Sequence, residues 1–179
     1  MLGMVAYTVF KTKWGYFGLA GTQAGLLRTC LPMPGAGRVK SLLLEHYPSA
    51  RYKKGLFRPL QEQIIAYFEG AYVDFDKDIP ILLEGFSPFA RSVLAACRAV
   101  RYGRTISYGQ LTAKAGAPKA ARAVGGVMAR NPTPLIIPCH RVIRSDGKIG
   151  GFSATGGASL KKRMLEMESR VQTGGYQKK

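Results

Sequence analysis

The segment Ile136-Ile137-Pro138-Cys139-His140-Arg141-Val142 sets a cysteine and a histidine side by side at the end of an apolar run. Cysteine is the strongest nucleophile among the side chains, but only as thiolate, and an unperturbed thiol has a pKa of about 8.5. A neighbouring base or cation moves the thiol toward that form. His140 is the candidate base, and Arg141 and Arg144 are candidate cations crowding Cys139. The residues leading into Cys139 are apolar or rigid, which predicts a partly dry site in which sulfur attacks carbon. A Cys-His pair alone carries little weight, because most cysteines are small buried hydrophobes. The frame around this one carries more. Asn131-Pro132-Thr133-Pro134 precedes it, and a glycine-rich loop, residues 147–157, follows.

The other cysteines read differently. Cys97 shares a helical face with Phe89, Val93 and Leu94 and is expected in the core. Cys30, Cys97 and Cys139 are far apart and none has metal-ligand spacing, so neither a metal site nor a disulfide framework is expected. A reducing cytoplasm suits a chain that keeps one thiol free. The first twelve residues lack the pattern of a signal peptide. No segment approaches the roughly 20 apolar residues that span a bilayer.

Charge separates the two halves of the 179-residue chain. Residues 1–86 hold 10 Lys/Arg and 7 Asp/Glu, a balance of +3, whereas residues 87–179 hold 17 and 3, a balance of +14. A charge this concentrated implies a polyanionic partner. The basic residues do not lie on one long amphipathic helix with a bulky apolar face, which argues against a membrane surface.

The elements that must position Cys139 can be placed from periodicity and turn residues. Residues 4–10, 14–19 and 25–30 read as strands, with Pro32-Met33-Pro34-Gly35 breaking the pattern. Helices follow over 39–47 and 59–68, and short extended pieces over 70–83. This first unit, residues 1–84, is expected to be α+β and structural. A second unit spans 87–170, with a flexible tail at 171–179. Ser87 and Pro88 open a helix to about residue 101. Ser107 and Gln110 form a capping-box pattern for a short helix to Ala115. Gly116 turns the chain, and Pro118 starts another helix reaching Arg130. Two helices on a tight glycine turn suggest a helix-turn-helix. The second of them, with Ala120, Ala121, Ala123, Gly125 and Gly126, offers almost nothing that reads base edges. Its small surface suits either close approach to a duplex or tight packing on a neighbouring helix. A last helix covers 159–169.

Residues 107–153 match without gaps, and 87–168 more loosely, the signature of the O6-alkylguanine-DNA alkyltransferases. The Pro138-Cys139-His140-Arg141 core makes this resemblance specific. It implies an α+β protein with a small ribonuclease-H-like α/β domain before a mainly helical, DNA-binding one. It also implies a monomer that needs no cofactor or metal and acts on double-stranded DNA containing alkylated guanine. The damaged base is flipped out, and its O6-alkyl group passes irreversibly to Cys139, so each molecule acts once. O4-alkylthymine is a second substrate the resemblance admits.

The resemblance also implies roles. His140 takes the thiol proton through a water, and Glu168 orients His140. Glu166 is the competing carboxylate, but Glu168 lies four residues after the apolar Met164 and so shares its face. Tyr108 donates to the purine as charge develops, and the Ser153 backbone N–H bonds to O6. The carbonyls of Cys139 and Val142 accept from the exocyclic amine, and Asn131 fixes the turn before the nucleophile. Arg122 fills the gap left by the flipped base, on a helix whose Lys119, Ala120, Ala121 and Gly125 face the minor groove. The loop at 150–157 is about two residues longer than the common form, and Phe152 stands where tyrosine is frequent. Two rival readings use the same residues. A cysteine hydrolase or acyltransferase leaves the helix-turn-helix and the charge unexplained, and an inert lesion binder leaves Cys139 unexplained.

Overall fold

A computed structural model of the chain describes residues 3–75, 79–118 and 120–173, with side chains as far as residue 170. The chain divides into two compact units, Met1–Glu84 and Gly85–Lys179.

In the first unit β1 (Ala6–Thr12), β2 (Gly15–Thr22) and β3 (Gly25–Met33) form an antiparallel meander. Aromatic and β-branched residues suit its half-buried pleated faces. Strand β3 runs three residues past the expected end, straight through Pro32. It is an edge strand, and a register shift between Tyr16 and Gly18 gives it an extra residue there. Edges and bulges are where a strand tolerates a proline. Helix α1 (Ala36–His46) starts three residues earlier than expected and lays Val39 and Leu43 on the sheet. Gly18 permits that contact, since a Cβ there would stand 2.5 Å from Val39 Cγ1 and 2.9 Å from Leu43 Cδ1. Strand β4 (Arg51–Tyr52) then returns parallel to β1, giving the order β3-β2-β1-β4. Helix α2 (Arg58–Glu69) has proline in its first turn and Gly70 in the left-handed region at its end. The segment after it docks on β3, where Leu26 N donates to Pro80 O and Leu82 N to Leu26 O, both at 2.8 Å. A meander, a helix and a parallel fourth strand make the small α/β domain that the resemblance implied.

The second unit opens with α3 (Pro88–Arg98), capped by Ser87 Oγ accepting from Ala90 N. It buries Ala90, Val93, Leu94 and Cys97, so Cys97 is a core residue as expected. The helix ends three residues before the expected stop. Residues 99–104 turn instead, with Gly103 at φ 67°, because their backbone is needed by buried groups described below. Strand β5 (Ile106–Ser107) leads into α4 (Tyr108–Lys114), whose capping box is formed in both directions. Helix α4 closes with a Schellman turn: Gly116, at φ 74°, donates to Ala113 O, and Ala117 N donates to Thr112 O. That turn is why α5 (Ala121–Ala129) starts three residues later than Pro118; Ala120 N still bonds back to Ala117 O. The two helices pack as a helix-turn-helix, with Val124, Val127 and Met128 inward. A single 3₁₀ turn, Cys139–Arg141, passes into β6 (Val142–Ile143), which pairs parallel with β5. Helix α6 (Gly157–Thr173) is longer than expected at both ends, so residues 171–173 of the expected tail are helical. Residues 174–179 lie outside the described residues. Among the described residues no helix is long and apolar enough to cross a membrane.

Candidate active site

Cys139, the candidate nucleophile, is held by local backbone geometry. Asn131 Oδ1 accepts from Thr133 N at 3.1 Å, and its Nδ2 donates to Ile137 O at 2.8 Å. The asparagine therefore ties both ends of the turn, as its position before Pro132 suggested. Cys139 N then donates to Ile137 O at 2.8 Å across Pro138, whose φ of −80° and ψ of 63° close an inverse γ-turn. Pairing of Ile106 with Val142 and of Ser107 with Ile143 sets this turn beside the start of α4. Tyr108 is the first residue of that helix.

Behind the cysteine lies a buried ion network. His140 Nε2 is 2.8 Å from Glu168 Oε1. Arg141 Nε and Nη2 donate to the same carboxylate at 3.0 Å, and Arg141 Nη1 donates to Val100 O at 2.6 Å. Gly103 N donates to Glu168 Oε2 at 3.0 Å, which explains the early end of α3. His140 and Glu168 are at most 1% exposed. Burial alone would raise the Glu168 carboxyl; hydrogen bonding from His140 and the charge and donors of Arg141 outweigh it and hold the pKa at about 2. An ionised carboxylate only accepts, so His140 carries its proton on Nε2 and keeps a lone pair on Nδ1. Burial lowers the His140 pKa despite Glu168, leaving a neutral imidazole able to take a proton. Glu166, the competing carboxylate, is exposed and 3.8 Å from Lys162 Nζ.

The cations are not where the sequence placed them. Arg141 faces Glu168, and Arg144 is exposed and bonds to Asp146 at 3.0 Å, so neither crowds Cys139. The cation acting on the thiol is Lys161, buried on α6. Its Nζ donates to Val142 O at 2.6 Å and lies 5.8 Å from the centre of the Phe152 ring. Burial pushes the Cys139 thiol up; the Asn131 amide, Lys161 and the amides of Cys139 and His140 draw it back only in part. The resting sulfur is thus a thiol that needs a base, with a cation nearby to favour the thiolate. Lys161 escaped notice inside a Lys-Lys-Arg run. The signal was present, since residues 161, 164 and 168 fall on one helical stripe with Met164 and Glu168.

Cys139, 7% exposed, forms one wall of a cavity of about 360 Å³. Tyr108, Gly125, Met128, Ala129 and the loop Gly151-Phe152-Ser153 complete it. This volume falls in the range of small-molecule sites. Burial and the nearby Cys139 and Cys97 raise the Tyr108 phenol, so it stays protonated and can donate. Ser153 Oγ donates to Ala129 O at 2.9 Å, tethering the loop to α5. Val142 is not among the lining residues, and its carbonyl already accepts from Lys161, leaving one lone pair. On α5, Ala121 and Arg122 are exposed and Ala120 is partly so. Lys119 lies outside the described residues. A Cβ on Gly125 would meet nothing within 4 Å, and one on Gly126 only Arg130 Nη1 at 3.9 Å. Tight packing on a neighbouring helix therefore does not explain these glycines.

Cys139 in the wall of a cavity, the buried His140–Glu168 pair next to it in the chain and a helix-turn-helix in the same unit define a candidate cysteine-nucleophile site on a helix-turn-helix scaffold. Residues 88–170 match the family described as 6-O-methylguanine DNA methyltransferase, DNA binding domain. A methylated-DNA–protein-cysteine methyltransferase of Methanosarcina acetivorans is 35% identical over 162 residues, covering 90% of this chain and 97% of the relative. The chain belongs to the methylated-DNA–protein-cysteine methyltransferase family. Other relatives are matched over less of their length, 60% for that of Methanothermobacter thermautotrophicus (42% identical) and 40% for that of the mouse (54% identical). The crystal structure of Mycobacterium tuberculosis OGT in complex with DNA is similar with a TM-score of 0.76 at 33% identity, covering 92% of this chain and 93% of that one.

Proposed function

We propose that this chain repairs DNA by moving the alkyl group of O6-alkylguanine in a duplex onto its own Cys139, once per molecule. The observation that carries this reading is Cys139 in the wall of a cavity of about 360 Å³, followed in the chain by His140, which is bonded to Glu168. A base inside a duplex cannot reach that sulfur, so it is flipped out at a cost of a few kcal/mol, less for a poorly paired lesion. His140 Nδ1 takes the thiol proton through a water. The sulfur attacks the alkyl carbon, an S–C bond forms, and the C–O bond breaks with its electrons passing to the purine. Tyr108 donates toward the ring nitrogen as that charge develops. The Ser153 N–H meets O6, and the carbonyls of Cys139 and Val142 accept from the exocyclic amine. The thioether does not hydrolyse under mild conditions, so the thiol is not regenerated. The free thiols Cys30, Cys97 and Cys139 fit a reducing cytoplasm, and the chain is read as acting as a monomer. Intact mass measured after mixing with duplex O6-methylguanine tests the proposal. One methyl group should appear on Cys139 and the reaction should stop at one per chain.

Two further results are expected. Arg122 is exposed on the small face of α5, where it can occupy the space of a flipped nucleotide. Arg122→Ala should slow transfer from duplex DNA by about 100-fold, roughly 2.7 kcal/mol of barrier, and leave transfer from free O6-benzylguanine near wild type. Equal slowing on both substrates would remove its flipping role. Lys161 lowers the Cys139 pKa, so Lys161→Met should raise it. Transfer from free O6-benzylguanine should then slow at neutral pH and recover as pH rises. An unshifted pH profile would confine Lys161 to a structural role.

A further inference from the structure

The second unit carries another concavity, of about 390 Å³, formed by the turn after α3 and by α4. Arg101, Arg104, Thr105, Gln110 and Lys114 contribute to its walls. All five are exposed. Gln110 and Lys114 are four residues apart on α4 and share a face. Tyr108 precedes them by two and six residues, which at 100° per residue puts it well around the helix. The groove therefore belongs to a different side of α4 from the reactive cavity, and the two share no lining residue.

Three features mark the groove as more than a random basic surface. Among the described residues its three cations make no ion pair, and the unit's three acidic side chains are engaged elsewhere. Asp146 pairs with Arg144, Glu166 with Lys162 and Glu168 with Arg141. Three like charges around one hollow repel one another, and an anion placed among them relieves that repulsion. The turn that carries Arg101 and Arg104 is also fixed from beneath: Val100 O accepts from buried Arg141 and Gly103 N donates to buried Glu168. Arg104 N closes the turn on Arg101 O at 3.1 Å. The backbone carrying these cations is therefore held in place before any ligand arrives, which lowers the ordering cost of binding. Thr105 and Gln110 add neutral hydrogen-bonding groups of the kind that accompany cations at phosphate contacts.

We propose that this groove is a second phosphate-binding site, taking the sugar-phosphate backbone of the DNA duplex apart from the contacts made by α5. The proposal rests on the reading that the chain acts on duplex DNA. Phosphate contacts position a protein without reading sequence, and a damage-directed protein that must act in any sequence context needs such contacts. The first helix of a helix-turn-helix crosses the DNA backbone in this way.

The test is DNA affinity measured against salt for the full chain and two triple variants. Arg101→Gln/Arg104→Gln/Lys114→Gln neutralises the groove. Lys11→Gln/Lys13→Gln/Lys40→Gln removes the same charge from exposed positions of the first unit. Each phosphate contact contributes about 0.9 to the slope of log affinity against log salt. The groove variant should lose about 2 to 3 in slope and on the order of tenfold in affinity at moderate salt. The control variant should keep the wild-type slope. Transfer from free O6-benzylguanine should be unchanged in both, which separates this proposal from the alkyl-transfer reading. An unaltered slope in the groove variant, or an equal loss in both variants, would overturn the second site. Absence of transfer in the wild-type chain would instead overturn the function.

Discussion

Cys139→Ala abolishes alkyl transfer while leaving the fold and the affinity for alkylated DNA in place. The expected loss exceeds about 10⁴-fold, the scale on which removing a nucleophile silences a catalytic relay. No other group in the cavity can substitute. His140 is buried with Nε2 committed to Glu168, and the Tyr108 phenol is held protonated. The two remaining thiols, Cys30 and Cys97, are buried in the cores of their units, their pKa values raised by burial, that of Cys30 to about 11. The cost in stability should be small, about 1 kcal/mol, because one sulfur atom is removed beside an existing cavity. Intact mass decides the matter. Wild type gains one methyl group from duplex O6-methylguanine, Cys30→Ala gains one, and Cys139→Ala gains none while still retarding the duplex in a gel. A Cys139→Ala chain that still cleared the lesion would remove the sulfur from the mechanism. A wild type that cleared many lesions per molecule would remove the single-use reading. A wild type labelled by an activated peptide ester but not by alkylated DNA would turn the same relay into an acyl-transfer site.

What the sequence disclosed and what it hid follow from the range of the interactions involved. Features decided within a few residues were legible: the Ser87-Pro88 start, the Ser107–Gln110 capping box, the turn at Gly116 and the Asn131 turn. Glu168 was legible because the family resemblance points to it and helical periodicity puts it on the face of Met164. Boundaries failed where a tertiary partner overrode local propensity. Helix α3 stops early because Val100 and Gly103 serve Arg141 and Glu168, which lie 41 and 65 residues further along the chain. Strand β3 ignores Pro32 because only pairing tells an edge from a centre. The electrostatics around Cys139 were the largest misreading. Adjacent cations in sequence need not be adjacent in space, and each of Arg141 and Arg144 points to its own carboxylate. Lys161, 22 residues downstream, supplies the charge instead.

The Glu168 network separates stability from reactivity, and the two should respond differently to substitution. Removing one partner of a buried ion pair leaves the other charge unsolvated, at a cost of about 3–5 kcal/mol. Glu168→Leu strands Arg141 and Gly103 N–H in this way and should lower the unfolding free energy by that amount. It should also slow transfer severely, because His140 loses the acceptor that fixes its tautomer. Replacing a buried pair by apolar groups of similar size is often neutral in stability. The double variant Arg141→Leu/Glu168→Leu should therefore regain the part of the stability lost to the stranded Arg141 charge, though not that of Gly103 N–H, in denaturant unfolding, yet remain as slow as Glu168→Leu in transfer from free O6-benzylguanine. Recovery of both together would mean that Glu168 only holds the fold. Acid gives an independent measure. The folded pKa of about 2 lies below the ordinary carboxyl value of 4.5, so the contribution of Glu168 is complete above about pH 4.5 and is lost as pH falls toward 2. Wild-type stability should drop through that window, and the double variant should lack this part of the decline.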